Sequence, residues 1–261
     1  MNEFLKDEDS IIKEITDFIR SEIENSNTKG AVIGLSGGID SAVIAHLTTL
    51  AIGKENVSLI HLPENELDTI HTQDAQLTAN QLDIPLQIID ISLLVNEMMK
   101  IYPQLKENRL AKGNLKARLR GVNLYTISNL ENKLVIGTSN KSEILIGYGT
   151  KFGDLAADIW PIGDLYKTEV FRIAEKLNVD LKIIKKPPTA GLWANQTDEE
   201  EIGVSYEKLD LFLIGLEQGV KEKELAKTIG LSEIQVNRIK TLIANNKHKS
   251  RMPKKQKIQR K

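Results

Sequence analysis

A short apolar run closed by glycines, "GAVIGL" (30–35), passes directly into "SGGIDS" and then into a longer apolar stretch. An uninterrupted apolar run of this length suits a strand buried on both faces, which has no wet side to alternate toward. Adjacent glycines let the backbone turn tightly, and "SAVIAHLTTLAI" (41–52) reads as a helix. Strand, glycine turn and helix together predict a crossover to a parallel strand. The pattern recurs. "VSLIHL" (57–62) precedes a helix over 68–82, "LQIIDI" (86–91) precedes a short helix to about 100, and a helix over 114–131 precedes "KLVIGTS" (133–139). Helical spacing also marks 9–24, through Ile11, Ile12, Ile15, Phe18, Ile19 and Ile23, and 165–178. Alternation of this kind predicts an α/β fold with a doubly wound, mainly parallel sheet and helices on both faces. Ligands of such sheets lie at the carboxyl ends of the strands, near the switch point, where "GLSGGIDS" (34–41) falls. The last part reads as helical, over 198–217, about 221–229 and 232–245. Residues 102–113 and 187–196 and the basic tail read as segments that order on binding.

Bulk composition narrows the possibilities. The chain has 261 residues, 41% of them hydrophobic, and a net charge of −1. These numbers fit one large domain, 1–261 with a basic tail from about 246, and make neither a general nucleic-acid binder nor an acidic tail protein. There are no cysteines, so disulfides, thiolate metal sites and cysteine nucleophiles are excluded. The start, "MNEFLKDEDS", is acidic and is not a signal peptide, and no run approaches the length that crosses a bilayer. The expected compartment is the cytoplasm, with no membrane partner.

The glycine loop carries the first chemistry. Gly34, Leu35, Ser36, Gly37, Gly38, Ile39, Asp40 and Ser41 link a buried strand to a helix amino terminus, where backbone N–H groups converge on an anion. Ser36 and Ser41 add hydroxyls. Asp40 is unfavourable beside phosphate unless a cation such as Mg²⁺ lies between them. No lysine precedes Ser41, so the loop is not a Walker A motif, and it is not G-x-G-x-x-G.

Further motifs lie along the chain. "GTSNKSE" (137–143) follows a strand and starts a helix. There Glu143 is either a first-turn carboxylate favoured by the helix dipole or a second metal ligand beside Asp40. "KARLR" puts Lys116 and Arg118 on different helix faces, and Lys116 fits a solvated basic face. "GYGTKFGDLAADIWP" (147–161) carries Lys151, Asp154 and Asp158, with Asp154 either capping a turn or facing a ligand. Lys167 opposes the dipole at its helix start, which hints at function. Thr197 and Glu200 read as a capping box for the helix at 198, so none of "QTDEE" is nominated as catalytic. Trp193 either stacks on a base or anchors its loop.

"SGGIDS" resembles the signature of the ATP pyrophosphatase superfamily, whose members cleave ATP between the α and β phosphates on an adenine-nucleotide alpha-hydrolase-like fold. The segments 113–125, 137–170, 187–200 and 248–253, in that order and spacing, closely resemble the ammonia-dependent NAD synthetase family, from about Ile12 to Pro253. The resemblance implies that ATP is co-substrate, that Mg²⁺ is held by Asp40 and Glu143, and that deamido-NAD is amidated by ammonia through an adenylate. It places Thr138, Lys167 and Thr189 on ATP. It places Arg118, Lys151, Asp158, His248 and Lys249 on deamido-NAD, and Asp40, Glu143, Asp158 and Lys167 in the catalytic set. Ser250 stands where the family pattern expects an arginine, which leaves a third contact after His248 and Lys249 open. Free ammonia is the expected nitrogen source, because a glutaminase domain needs a cysteine. The resemblance also implies a homodimer with sites near the interface, with "LYTISNL" (124–130) and the amino-terminal helix as candidate contacts. The rival readings are a tRNA-modifying adenylating enzyme of the same superfamily, for which the basic tail speaks, and a non-catalytic nucleotide-binding module. The 137–170 match and intact Asp40, Glu143 and Lys167 speak against them.

Overall fold

The structure, a computed structural model, describes residues 7–64, 69–189, 191, 193 and 197–258. Helix α1 (Glu8–Asn25) starts where the Asp7 carboxylate accepts from the Ser10 N–H at 3.0 Å. Its Ile11, Ile15, Ile19 and Ile23, four residues apart, are all buried. Strand β1 (Ala31–Gly34) leads through the glycine loop to α2 (Ile39–Ile52), and β2 (Val57–His61), α3 (Thr69–Leu82), β3 (Leu86–Ile88) and α4 (Ser92–Ile101) follow. The long α5 (Arg109–Glu131), β4 (Leu134–Ile136), α6 (Lys141–Ile146), α7 (Lys167–Lys176) and α8 (Leu181–Ile184) complete the sheet layer. The remainder is α9 (Asp198–Ile202), α10 (Tyr206–Glu217), α11 (Glu222–Ile229) and α12 (Glu233–Asn246).

The sheet order is β3-β2-β1-β4, and every pairing is parallel. The chain steps outward from β1 to β3, then returns to the other side of β1. Its direction therefore reverses between β1 and β4, which opens a crevice at their carboxyl ends. Alternate residues serve opposite faces of the sheet. Ala31, Ile33 and Leu59 pack with α1, α2 and α7, whereas Val32 and Ile60 pack with Val95 of α4 and Ile127 of α5. A third apolar cluster, built on Phe212, Leu209 and Ile239, joins α10 and α12 to Ile146 and Tyr166.

Several boundaries differ from the sequence expectation. Helix α5 begins at Arg109 rather than 114, because the Asn108 side chain accepts from the Ala111 N–H at 2.9 Å. Gly113, taken as loop, lies buried inside the helix, where a single glycine costs only about 1 kcal/mol. A 3-10 turn, Pro103–Lys106, fills much of the rest of the expected loop. The helix expected over 198–217 is broken by Gly203, whose φ of 88° ends α9 in the left-handed region. β3 stops at Ile88, and Asp90 turns the chain into α4 by accepting from the Ser92 N–H at 2.7 Å.

Candidate active site

The crevice opens into a cavity of about 660 Å³. Of the site residues read from the sequence, all but Gly37 and Asp158 line it. Gly37 faces away, with φ of 79°, and a Cβ there would meet the His71 carbonyl at 2.5 Å. Both the backbone angle and the close approach of α3 require glycine.

The loop is held from beneath and closed on itself. Leu35 donates its N–H to the Ile60 carbonyl at 2.8 Å, and His61 donates Nδ1–H to the Leu35 carbonyl at 2.8 Å. Ser41 Oγ donates to the Gly38 carbonyl at 2.9 Å and accepts from the Ser36 N–H at 3.2 Å. That uses the single Ser41 proton, so Ser36 is the donor in the 3.0 Å Ser36–Ser41 bond. The hydroxyls therefore shape the loop, and the amino terminus of α2 supplies the anion-facing dipole.

Lys167, first residue of α7 and 2% exposed, sends its ammonium between two carboxylates. It pairs with Asp40 and lies 3.4 Å from Glu143. Asn140, fully buried, ties the two acids together. Its Nδ2 donates to Asp40 at 3.0 Å, and its Oδ1 accepts from the Glu143 N–H at 3.0 Å, which caps α6. Burial would lower the Lys167 pKa, but the charges of Asp40 and Glu143 outweigh it and hold the ammonium protonated. Burial pushes Glu143 up to about 8, against the opposing pull of Lys167. Glu143 thus faces the crevice and is no solvated first-turn residue.

Sequence reasoning missed the neighbours of this triad. Asp198, in the segment from which no residue is nominated as catalytic, is buried and accepts from the hydroxyls of Tyr148 (3.0 Å) and Tyr206 (3.2 Å). The expected box does not form, because Thr197 makes no side-chain cap. Burial raises the Asp198 pKa, and Lys167 opposes that rise. The Tyr206 ring lies 5.3 Å from the Lys167 ammonium. Asn140 was legible in principle, since Asn with Glu three residues on is a capping signature.

Another wall of the cavity is assembled from distant segments. Lys151 donates to the His248 carbonyl at 2.7 Å, Lys249 to the Gly147 carbonyl at 2.9 Å, and Arg118 to the Lys151 carbonyl at 3.3 Å. Burial lowers the Lys249 pKa, with Asp154 opposing. Asp154 closes a turn by accepting from the Thr150 N–H at 2.9 Å, and Thr189 Oγ1 accepts from the Gly191 N–H at 3.1 Å. Trp193 is anchored by the Arg109 guanidinium, 4.4 Å above its ring. Asp158 stands apart, its carboxylate accepting from the Val135 N–H at 2.7 Å and from the Tyr125 hydroxyl at 3.2 Å. Lys116 corrects the expectation of a wet basic face. It is buried and paired with Glu64, because its long stem is covered and its ammonium meets a carboxylate beyond β2.

The NAD synthase family model matches residues 11–253. The chain belongs to the NAD synthase family. A family member from Methanosarcina acetivorans, named NH(3)-dependent NAD(+) synthetase, is 44% identical over 241 residues, 92% of this chain and 94% of that protein. Two solved structures cover 97% of this chain and 100% of their own. The NH3-dependent NAD synthetase from Campylobacter jejuni is 35% identical with a TM-score of 0.80. The NMN synthetase from Francisella tularensis is 31% identical with a TM-score of 0.83. The NAD synthase family fold is thus shared by the whole sheet and its helical C-terminal part. Among the described residues no helix is long and apolar enough to cross a membrane.

Proposed function

We propose that the chain makes NAD from deamido-NAD, ATP and free ammonia, releasing AMP and pyrophosphate. The observation that carries this reading is the meeting of the glycine loop, Asp40, Glu143 and Lys167 in one cavity of an NAD synthase family member. The nicotinate carboxylate attacks the α-phosphorus, the bond to the bridging oxygen breaks, and its electron pair leaves with pyrophosphate. Ammonia then adds to the activated carbonyl, loses a proton and expels AMP. These steps need positioning and charge neutralisation rather than a covalent nucleophile. The loop amides and Lys167 face the departing phosphates. Arg118, Lys151, His248 and Lys249 face the dinucleotide, and Thr138 and Thr189 the ATP.

Two carboxylates converging on one ammonium are also the donor set of a hard divalent cation. Among the described residues no third acidic or histidine side chain joins them, so a cation held there would draw its other ligands from phosphate and water. Asp40 and Glu143 would hold Mg²⁺, which when bound neutralises phosphate charge during α–β cleavage.

Purified protein with Mg-ATP, deamido-NAD and ammonium is expected to yield NAD and AMP in equal amounts, measured by chromatography. Glutamine in place of ammonium is expected to yield neither. AMP without NAD would sink the reading. The name of the Francisella neighbour supplies a second arm, nicotinic acid mononucleotide. Preferred turnover of it would move the substrate to the mononucleotide.

We also propose a homodimer through α4 and α5. Val122 and Leu130 are exposed on α5, and Leu93 and Ile101 on α4. The apolar side of α1 is already spent on the protomer's own core. Asp158 meets α5 through Tyr125 and lies outside its own cavity, as suits a residue serving substrate across an interface. Val122→Glu with Leu130→Glu is expected to convert a dimer to monomer by light scattering at micromolar concentration. Wild-type protein that scatters as a monomer there would sink this reading.

A further inference from the structure

We propose that Lys186 is a second cation for the departing pyrophosphate, beside the glycine loop. This rests on the cavity being the ATP site. Lys186 lies just past α8 and lines the cavity. Its ammonium donates to Asp74 Oδ2 at 2.8 Å, to His71 Nδ1 at 2.9 Å and to the Gly37 carbonyl at 3.4 Å. An ammonium has three protons and accepts nothing. His71 Nδ1 is therefore the acceptor, and the ring proton sits on Nε2. The contact with Gly37 is the longest of the three, and it is the one a phosphate oxygen at the loop can replace without releasing Asp74.

The balance of charge points the same way. Asp74 is buried and also pairs with Lys182 at 2.7 Å. Two lysines share one carboxylate there, so that cluster carries a surplus of one positive charge (two minus one). Around Lys167 the ratio is reversed, with two carboxyl groups on one lysine and no positive charge to spare. An anion in the loop thus meets uncompensated positive charge on the Lys186 side. Lys182 is 55% exposed and does not line the cavity, so its part is to neutralise Asp74 while Lys186 faces the ligand. As the α–β bond breaks, charge gathers on the pyrophosphate, where a fixed ammonium counts most.

The test compares full-length Lys186→Met, Lys186→Arg and Lys182→Met. Inorganic pyrophosphate binding is measured by calorimetry, and the ATP and dinucleotide KM values by turnover. Lys186→Met is expected to weaken pyrophosphate binding and raise the ATP KM about tenfold each, leaving the dinucleotide KM within about twofold. Lys186→Arg should keep most of the affinity, and Lys182→Met, which removes the surplus charge but leaves the Lys186 ammonium at the loop, should lose clearly less than Lys186→Met. Equal losses in Lys186→Met and Lys182→Met would mean that Lys186 acts only through Asp74 and would overturn the proposal, as would unchanged pyrophosphate binding. If Lys186→Met does not fold, Lys186→Gln, which keeps a donor without the charge, is read the same way. Pyrophosphate binding decides the point even if NAD is not formed, a result that would count against the functional reading instead.

Discussion

Lys167→Met is expected to lower kcat/KM for NAD formation by about 10³-fold, the loss typical of a charge-stabilising group removed from a buried site. It is also expected to make the fold's stability depend on magnesium. In the native chain one ammonium neutralises Asp40 and Glu143, whose side chains are 18% and 15% exposed. Removing it strands two carboxylates side by side, a change that costs about 3–5 kcal/mol for a broken buried pair. The variant can recover part of this by taking up a proton on Glu143, which burial already raises. A carboxylate with a raised folded-state pKa binds more protons folded than unfolded. Its stability contribution is therefore greatest below the unfolded pKa, about 4.3 for Glu, and falls as pH rises through the folded value. Thermal unfolding of Lys167→Met at pH 7.5 should shift upward on adding MgCl₂, and by more than wild type does. An equal shift in both proteins would show that Lys167 does not share the acids with the metal.

The sheet was legible because its signals are local. "GAVIGL" and "SGGIDS" state strand and turn within a dozen residues, and the isoleucines of α1 repeat at a spacing only a helix puts on one face. The crevice was legible where a motif marked its residues locally, as for Asp40 and Glu143, which both line the cavity. What escaped were pairings across long stretches of chain. Lys167 was read as a phosphate ligand, but its contact with Asp40 spans 127 residues and no local pattern announces it. Asp198 was passed over because Thr197 and Glu200 beside it have the spacing of a capping box. Its real partner Tyr148 lies 50 residues back, in a glycine-rich turn. Lys116 and Arg118 sit two apart on a helix whose apolar stripe is weak, so nothing nearby said which one the fold would bury. Lys186 stands beside two prolines, where no motif names it.

Asp210 shows how far such a long-range contact reaches, and Asp210→Ala is expected to cost about 3 kcal/mol of stability together with most of kcat. The residue lies on α10, in the C-terminal helical part, and is 1% exposed. One carboxylate oxygen accepts from the Ser142 hydroxyl on α6, and the other accepts from the Thr168 N–H on α7 at 2.8 Å. Ser142 Oγ in turn accepts from the Lys167 N–H at 2.9 Å. A single buried acid thus fixes the start of α7, which carries Lys167, against α6, which carries Glu143. Alanine would leave the Thr168 N–H and the Ser142 hydroxyl buried without their acceptor. Asp210→Asn keeps an oxygen for Thr168 but offers Ser142 a donor. Ser142 already accepts from Lys167, so its own proton loses its acceptor, at a cost of about 1 kcal/mol. Denaturant unfolding should therefore rank wild type above Asn above Ala. Because α6 and α7 carry Glu143 and Lys167, the proposed catalytic groups, while Arg118 and His248 lie elsewhere, kcat should fall in the same order with the dinucleotide KM nearly unchanged. An Asp210→Ala protein that unfolds early but turns over at the wild-type rate below its transition would confine Asp210 to stability alone.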